Sequence, residues 1–311
     1  QLVVGDLSSI ESRALAFISH SQWKMRAFEA REDLYKVQAS RIFGVPYEDI
    51  TPEQRQIGKV GELACGYGAG PSAVQSYAEK MKISMTEREA AALVKDWRTA
   101  NPDIEKLWHD LDTLLANVLD DHKPHAHDFL TTGGQNANII EISKKPAIKT
   151  IQDIMPTASD LFVRVETPYV RFTRVFRGVY RRGRDICYMK PPMSKSGPLW
   201  RTTYRDPKTG VVKRFTIYGG KLTGILTQSY CRELFFQIMR ILAQNLKPYS
   251  NCKLIGQFHD ELVVEWSPST ANDQPALTLD ELKVCMDKAM VTVRSDLTLA
   301  AEVKSARRYI K

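Results

Sequence analysis

Apolar and polar positions follow several different rhythms along this chain. Residues 2–7 form a short apolar run bounded by polar residues, which predicts a buried strand. Ser8 or Ser9 is placed to cap a helix from Ile10 to about Ser19. Residues 21–118 read as almost entirely helical, with breaks at Pro46 and Pro71. Thr51-Pro52-Glu53-Gln54 predicts a helix start: Thr51 caps, Pro52 is the first helical residue, and Gln54 completes a capping box. Asn101-Pro102-Asp103 opens another helix by similar logic. The rhythm changes over 125–221, where aromatic residues, β-branched residues and glycines rise. Within it, Trp200 to Arg205 and Val211 to Tyr218 flank Asp206-Pro207-Lys208-Thr209-Gly210, a hairpin signal. A long helix follows over 222–248. Two strands, 254–258 and 262–266, then flank the polar turn His259-Asp260-Glu261. A helix from about Leu279 to Ser295 and a strand from Leu299 to Val303 complete the pattern, and no internal repeat is visible.

Composition narrows the class. The 311 residues are enough for roughly two domains, and a 43% hydrophobic content excludes general disorder. Lys and Arg exceed Asp and Glu, 44 to 36, for a net charge of +8 that suits an anionic partner without naming one. Five scattered cysteines with no CxxC pair exclude a disulfide scaffold and a cysteine zinc site, and fit a reducing, cytoplasmic setting. No apolar run reaches the ~18 residues of a membrane span, so no membrane association is expected. The chain opens on Gln1 with a strand already under way, so a domain is expected to precede it in a longer polypeptide.

Three clusters carry chemistry. Asp6 ends an apolar strand, where a carboxylate is costly unless paired or metal-bound, although an N-cap or edge aspartate also fits. Arg55, Lys59, Leu63 and Tyr67 recur every four residues, a helical stripe drifting about 40° per step. Its cations suit a polyphosphate and its apolar end a base and sugar; an ordinary surface helix gives the same spacing. Gln257-Phe258-His259-Asp260-Glu261 crowds two acids, a histidine and an amide into one turn, which points to a nearby cation more than to a merely polar tip. Two carboxylates from different strands can hold a pair of Mg²⁺ ions, with Mn²⁺ able to substitute. A lysine can add charge or a proton at a leaving pyrophosphate. Together these residue types compose nucleotidyl transfer. Separately, 164–190 holds eight basic and two acidic residues interleaved with aromatics, which suits a nucleic-acid surface as well as a solvated hairpin face.

The clusters resemble three motifs of the family A DNA polymerases, the DNA polymerase I group, in the family's order. Asp6-x-Ser8-x-Ile10-Glu11-x-Arg13 resembles motif A, Arg55-x3-Lys59-x7-Tyr67-Gly68 motif B, and Gln257-x-His259-Asp260-Glu261 motif C. The run from Asp33 to Gly68 resembles the family's fingers. The likeness covers roughly 1–110 and 222–305; Gly219-Gly220-Lys221-Leu222 leading to Gln228 is similar to phage or prophage members. The resemblance implies an α/β (α+β) palm with an antiparallel sheet and a mostly helical fingers insertion. It divides the chain into palm (1–20), fingers (21–125) and palm again (126–311), with thumb and any exonuclease lying before motif A.

By the same resemblance, Asp6, the Leu7 carbonyl and Asp260 hold two metal ions. Arg55 and Lys59 grip the triphosphate, with Lys59 as general acid. Leu63, Tyr67 and Tyr35 complete the nucleotide site, and Glu11 is a steric gate against a ribose 2′-hydroxyl. Such a gate is physically needed, because an ordinary pocket rejects one added hydroxyl only weakly. Arg13, Gln228, His259 and Glu261 are expected at the DNA, and Arg181 and Arg182 join them from the basic stretch. The implied partners are primer–template DNA and deoxynucleotides, acting on a monomer in a bacterial or phage-infected cell. Four positions depart from the family pattern: Leu63 for Phe or Tyr, Tyr35 for His, Ser9 for Gln, and Gly224 for Asn. They predict an active enzyme with altered nucleotide handling. The competing readings are a single-subunit RNA polymerase, a non-catalytic DNA-binding fragment and, more remotely, a metal nuclease.

Overall fold

The computed structural model describes residues 1–121, 125–128, 139–143, 161–167, 171–176, 180–181, 200–205, 211–268, 275–293 and 297–307. In chain order it begins with β1 (Leu2–Leu7) and α1 (Ile10–Ile18), as the apolar pattern predicts. Helices α2 (Gln22–Glu29), α3 (Leu34–Phe43), α4 (Pro52–Cys65), α5 (Pro71–Lys80), α6 (Glu87–Ala100) and α7 (Pro102–Asp121) follow. Pro71 starts α5 at the first helical position, where its missing N–H costs nothing. Strands β2 (His125–Asp128), β3 (Ile139–Ser143), β4 (Leu161–Glu166), β5 (Arg171–Phe176), β6 (Tyr180–Arg181), β7 (Trp200–Arg205) and β8 (Val212–Ile217) occupy the aromatic and β-branched stretch. The chain then forms α8 (Gly219–Leu246), β9 (Cys252–Phe258), β10 (Glu261–Trp266), α9 (Leu279–Val291) and β11 (Ala301–Ala306).

Chain contacts gather into two units, residues 1–17 with 228–311 and residues 18–227. The first is built on an antiparallel sheet in the order β11-β1-β10-β9. Along β1, Val3, Gly5 and Leu7 are buried while Leu2, Val4 and Asp6 are half-exposed. The buried face meets α9 so closely that a Cβ on Gly5 would lie 2.5 Å from Met290 Sδ. Asp6 is therefore turned to the opposite face by strand alternation. The final strand lies later than the apolar pattern suggests, at Ala301–Ala306 rather than 299–303. Its register runs the whole length of β1, from Leu2 opposite Ala306 to Leu7 opposite Ala301. Backbone pairing along β1, rather than its own hydrophobicity, sets its limits.

The second unit packs α2 to α7 into a bundle whose apolar core also encloses Lys24, Gln38, Glu62 and Asn101, and carries two further antiparallel sheets, β2-β3-β4-β5 and β6-β7-β8. Ile140, Ile142, Val163 and Val165 form the buried face of the larger sheet. The expected hairpin is present as β7 paired with β8, Thr202 opposite Phe215, while its turn lies outside the described residues. Helix α4 approaches α3 so tightly that a Cβ on Gly58 would come within 2.3 Å of the Tyr35 carbonyl oxygen. On its other flank, Gly61 leaves room for the Trp97 ring, which stacks on Trp108 at 6.0 Å.

Capping boxes begin α4, α6 and α9, at Thr51 with Gln54, Thr86 with Glu89 and Thr278 with Glu281. Hydrogen bonds from the backbone and hydroxyl of the capping threonine hold the Glu89 and Glu281 carboxyls below the usual carboxylate range. A depressed carboxylate contributes stability above its unfolded value and loses it as pH falls through the folded value. Thr86→Ala should cost about 1 kcal/mol, read by urea unfolding at neutral pH. The difference from the parent should shrink under acid conditions, and a pH-independent difference would count against the Glu89 contribution.

Candidate active site

In the first unit, β1 and the β9–β10 hairpin bring carboxylates from distant parts of the chain to one end of the sheet. Asp6 stands directly opposite Glu261 in the β1–β10 pairing, and the Leu7 N–H donates to the Asp260 carbonyl at 3.1 Å. The reversal from β9 to β10 spans only His259 and Asp260, with Glu261 already opposite Phe258. His259 takes a left-handed backbone, φ 53°, and this conformation sets the direction in which Asp260 leaves the turn. A cavity of about 380 Å³ opens beside this end, where Glu11, Gln228, His259 and Asp260 supply its polar wall. Ile10 and Phe235 supply apolar wall.

Cys231 also lines this cavity, but burial and then the Glu11 charge push its thiol well above the ordinary range. Its Sγ donates to the Ile10 carbonyl at 3.6 Å, so it joins α8 to α1 and is no nucleophile. Arg13 is buried, and its Nε donates to the Ser8 carbonyl at 2.8 Å and Nη1 to the Thr298 carbonyl. Burial lowers its pKa to about 10, which leaves it a cation at neutral pH. The guanidinium thus ties the loop after β1 to the approach of β11, and a DNA phosphate would have to compete with both carbonyls.

The oxygen donors at this end suit a hard divalent ion. Among the described residues no three His, Cys, Asp or Glu side chains converge as a ready-made cage. Mg²⁺ takes one or two carboxylates and completes its shell with water and substrate phosphates.

In the second unit, α4 carries the expected stripe. Asp33 caps α3 and also pairs with Arg55, Nε to Oδ2 2.6 Å. Arg55 and Lys59 both lie over the Tyr35 ring, at 5.4 and 5.6 Å from its centroid. Burial, with the Glu62 charge next, pushes the Tyr35 hydroxyl up, so the ring stays a neutral phenol beneath two cations. Leu63 is exposed at 37% and offers an apolar surface one turn beyond Lys59. Tyr67 follows α4, and its ring is the nearest neighbour of a Cβ placed on Gly224, at 3.4 Å. Gly224 therefore lies directly against the Tyr67 ring. Cys65 is pushed up to about 12 by burial and is a packing residue.

Sequence reasoning missed two supports of this helix and one of α8. Asp33 orients Arg55, as its capping position next to Tyr35 could have suggested. The fully buried Lys24 pairs with Glu62 on the back of α4. Asp112 accepts the Gly219 N–H at 2.7 Å and so caps α8 from α7; burial raises its carboxyl, and the hydrogen bond from Gly219 opposes this. Of the basic stretch, Arg181 lies on β6 opposite Trp200, and Arg182 lies outside the described residues.

Residues 1–118 match the family model described as DNA polymerase family A. Over these residues the chain is similar to the family A DNA polymerases, and its fold is similar to that of a solved DNA polymerase I-type polymerase domain. The DNA polymerase of Bacillus phage SP02 is 28% identical over 275 residues, covering 85% of this chain and 35% of the phage protein. DNA polymerase I of Mycobacterium leprae is 41% identical over 87 residues, 28% of this chain and 9% of that protein. The chain therefore spans about a third of the phage relative. The solved POL domain of Pol1 from M. smegmatis, in complex with DNA primer-template and dNTP, superposes with a TM-score of 0.55 at 17% identity. That match covers 98% of this chain and 39% of the solved one. No described helix is long and apolar enough to cross a membrane.

Proposed function

We propose that the chain is the palm and fingers region of a template-directed DNA polymerase, divided as 1–20, 21–125 and 126–311. It joins deoxynucleotides to a primer 3′-hydroxyl with release of pyrophosphate, in replication or repair. The observation that carries this reading is the arrival of Asp6 and Asp260 at one end of the β1–β10 pair, beside the cavity that Glu11 lines. Asp6, the Leu7 carbonyl and Asp260 would hold two Mg²⁺ ions, which supply charge neutralisation and a lowered pKa at the attacking hydroxyl. Arg55 and Lys59 bind the triphosphate, and Lys59 delivers a proton to the departing pyrophosphate. The Tyr35 ring lies beneath both cations. Leu63 and Tyr67 meet the base and sugar. Glu11 occupies the space a 2′-hydroxyl would need, and Gln228, His259 and Glu261 meet the primer end.

Primer extension on a primed template tests this, with deoxy- and ribonucleotides in separate reactions, with and without Mg²⁺. Metal-dependent incorporation of deoxynucleotides alone is expected. Equal use of ribonucleotides would move the assignment to an RNA polymerase-like enzyme. DNA binding with no incorporation in the presence of Mg²⁺ would leave a binding fragment. Leu63→Phe should alter nucleotide KM or dideoxynucleotide use about tenfold, because a flat ring replaces a flexible branch at an exposed position. Unchanged steady-state constants for both nucleotides would remove Leu63 from the nucleotide site.

A further inference from the structure

Beyond Gln228, the outer face of α8 continues a line of chemistry that the proposed reaction does not use. Gln228, Arg232 and Phe236 are all exposed and four residues apart. On a helix that spacing places them near one line, about 6 Å apart along the axis and drifting about 40° per step. The line begins in the cavity: Arg232 lines it together with Gln228, His259 and Asp260. The core does not need these residues, since Leu234, Ile238 and Leu242 fill it from the opposite side of α8 at 0% exposure.

The Arg232 side chain is held in place. Its Nε and Nη2 donate to Glu233 Oε1 at 3.2 and 2.5 Å, and its guanidinium lies 5.9 Å from the Phe236 ring centre. The ion pair is half-exposed on the arginine side, so it contributes little stability of its own. It orients the fork and engages one edge of it, and a second anion can take the other edge. A single exposed phenylalanine is ordinary on a protein surface. This one, 46% exposed, sits against the cation that lines the cavity.

We propose that Arg232 and Phe236 extend the active site as a track for the primer strand, with Arg232 binding one backbone phosphate near the primer end and Phe236 packing on an adjacent deoxyribose. The occupant follows from charge and continuity. The cavity holds the carboxylate at which the primer terminus reacts, and the strand leaving it presents a phosphate every ~3.4 Å of axis. A guanidinium one helical turn beyond Gln228 meets that row. This assignment rests on the polymerase reading above.

Binding of labelled primer–template DNA to the chain, without nucleotide, tests it across 50–200 mM salt by fluorescence anisotropy. Arg232→Ala should weaken binding about tenfold at low salt and reduce the salt slope by about 1. Phe236→Ala should weaken binding at every salt concentration with the slope unchanged. Both side chains are exposed, so both variants should melt like the parent. Single primer phosphates are then replaced, one at a time, by neutral methylphosphonates. One position should weaken the parent about as much as Arg232→Ala does, and should not weaken that variant further. A parent chain that binds no primer–template DNA would sink the polymerase reading and this inference together. A parent that binds and extends, beside an Arg232→Ala variant of equal affinity and slope, would overturn this inference alone. So would coupling to a template-strand phosphate.

Discussion

Asp260→Ala should lower Mg²⁺-dependent primer extension by about three orders of magnitude or more while leaving the fold in place. The two effects separate because of where Asp260 sits. It is half-exposed, and the bond that anchors its turn is made by its backbone carbonyl, which accepts from the Leu7 N–H at 3.1 Å. Alanine keeps that carbonyl. The left-handed residue of the turn is His259, which the substitution does not touch. Thermal unfolding should therefore shift by no more than about 0.5 kcal/mol, and primer–template affinity should be nearly retained. Extension at the parental rate would exclude Asp260 as a metal-binding group. Loss of extension together with loss of folding would show that the turn depends on the carboxylate, and Asp260→Asn, which is nearly isosteric, would then separate geometry from charge.

Lys24→Met, on α2, should destabilise the chain by about 3–5 kcal/mol, because it removes the buried partner of Glu62 on α4. Lys24 and Glu62 pair inside the second unit with side chains 0% and 1% exposed, between the Trp23 and Trp97 rings at 5.2 and 5.8 Å from the ammonium. Burial drives the Lys24 ammonium pKa down, and the Glu62 carboxylate opposes that shift. Glu62 Oε1 has no hydrogen-bond partner, so removing Lys24 leaves a buried charge with nothing to offset its lost hydration. The double change Lys24→Met with Glu62→Leu should recover most of the loss, because an apolar pair needs no compensation. Urea unfolding of the two single variants and the double measures the coupling directly. Additive losses would mean that the pair contributes through packing alone. Glu62 lies on α4 between Lys59 and Leu63, so the same pair holds the helix in the rotation that presents its cations outward.

Local chemistry made much of the site readable before any coordinates. Thr51, Pro52 and Gln54 announce the start of α4 because a capping box is closed within four residues. The same holds for β1 and for the β9–β10 reversal, where apolar runs abut a short polar turn that nothing else explains. The start of α7 at Pro102 and the pairing of β7 with β8 were legible for similar reasons. The end of α9 at Val291 and the limits of β11 were not, because a helix end and a strand's extent depend on neighbours that pattern cannot supply.

Residue types and their short-range spacing thus determined the elements and the stripe Arg55, Lys59, Leu63 and Tyr67. Tertiary structure decided what holds that stripe in place. Lys24 and Glu62 are 38 positions apart, and Arg55 and Asp33 are 22 apart. Gly219 is required because a Cβ there would lie 1.8 Å from the Trp108 carbonyl oxygen, over a hundred positions away. Arg13 reads as a DNA contact in its motif, yet it is drawn to the Thr298 carbonyl across 285 positions. The physical reason is common to all four. Capping and periodicity are settled by backbone groups within one or two turns, whereas desolvating a charge or excluding a methyl group is settled by whatever the fold places beside it.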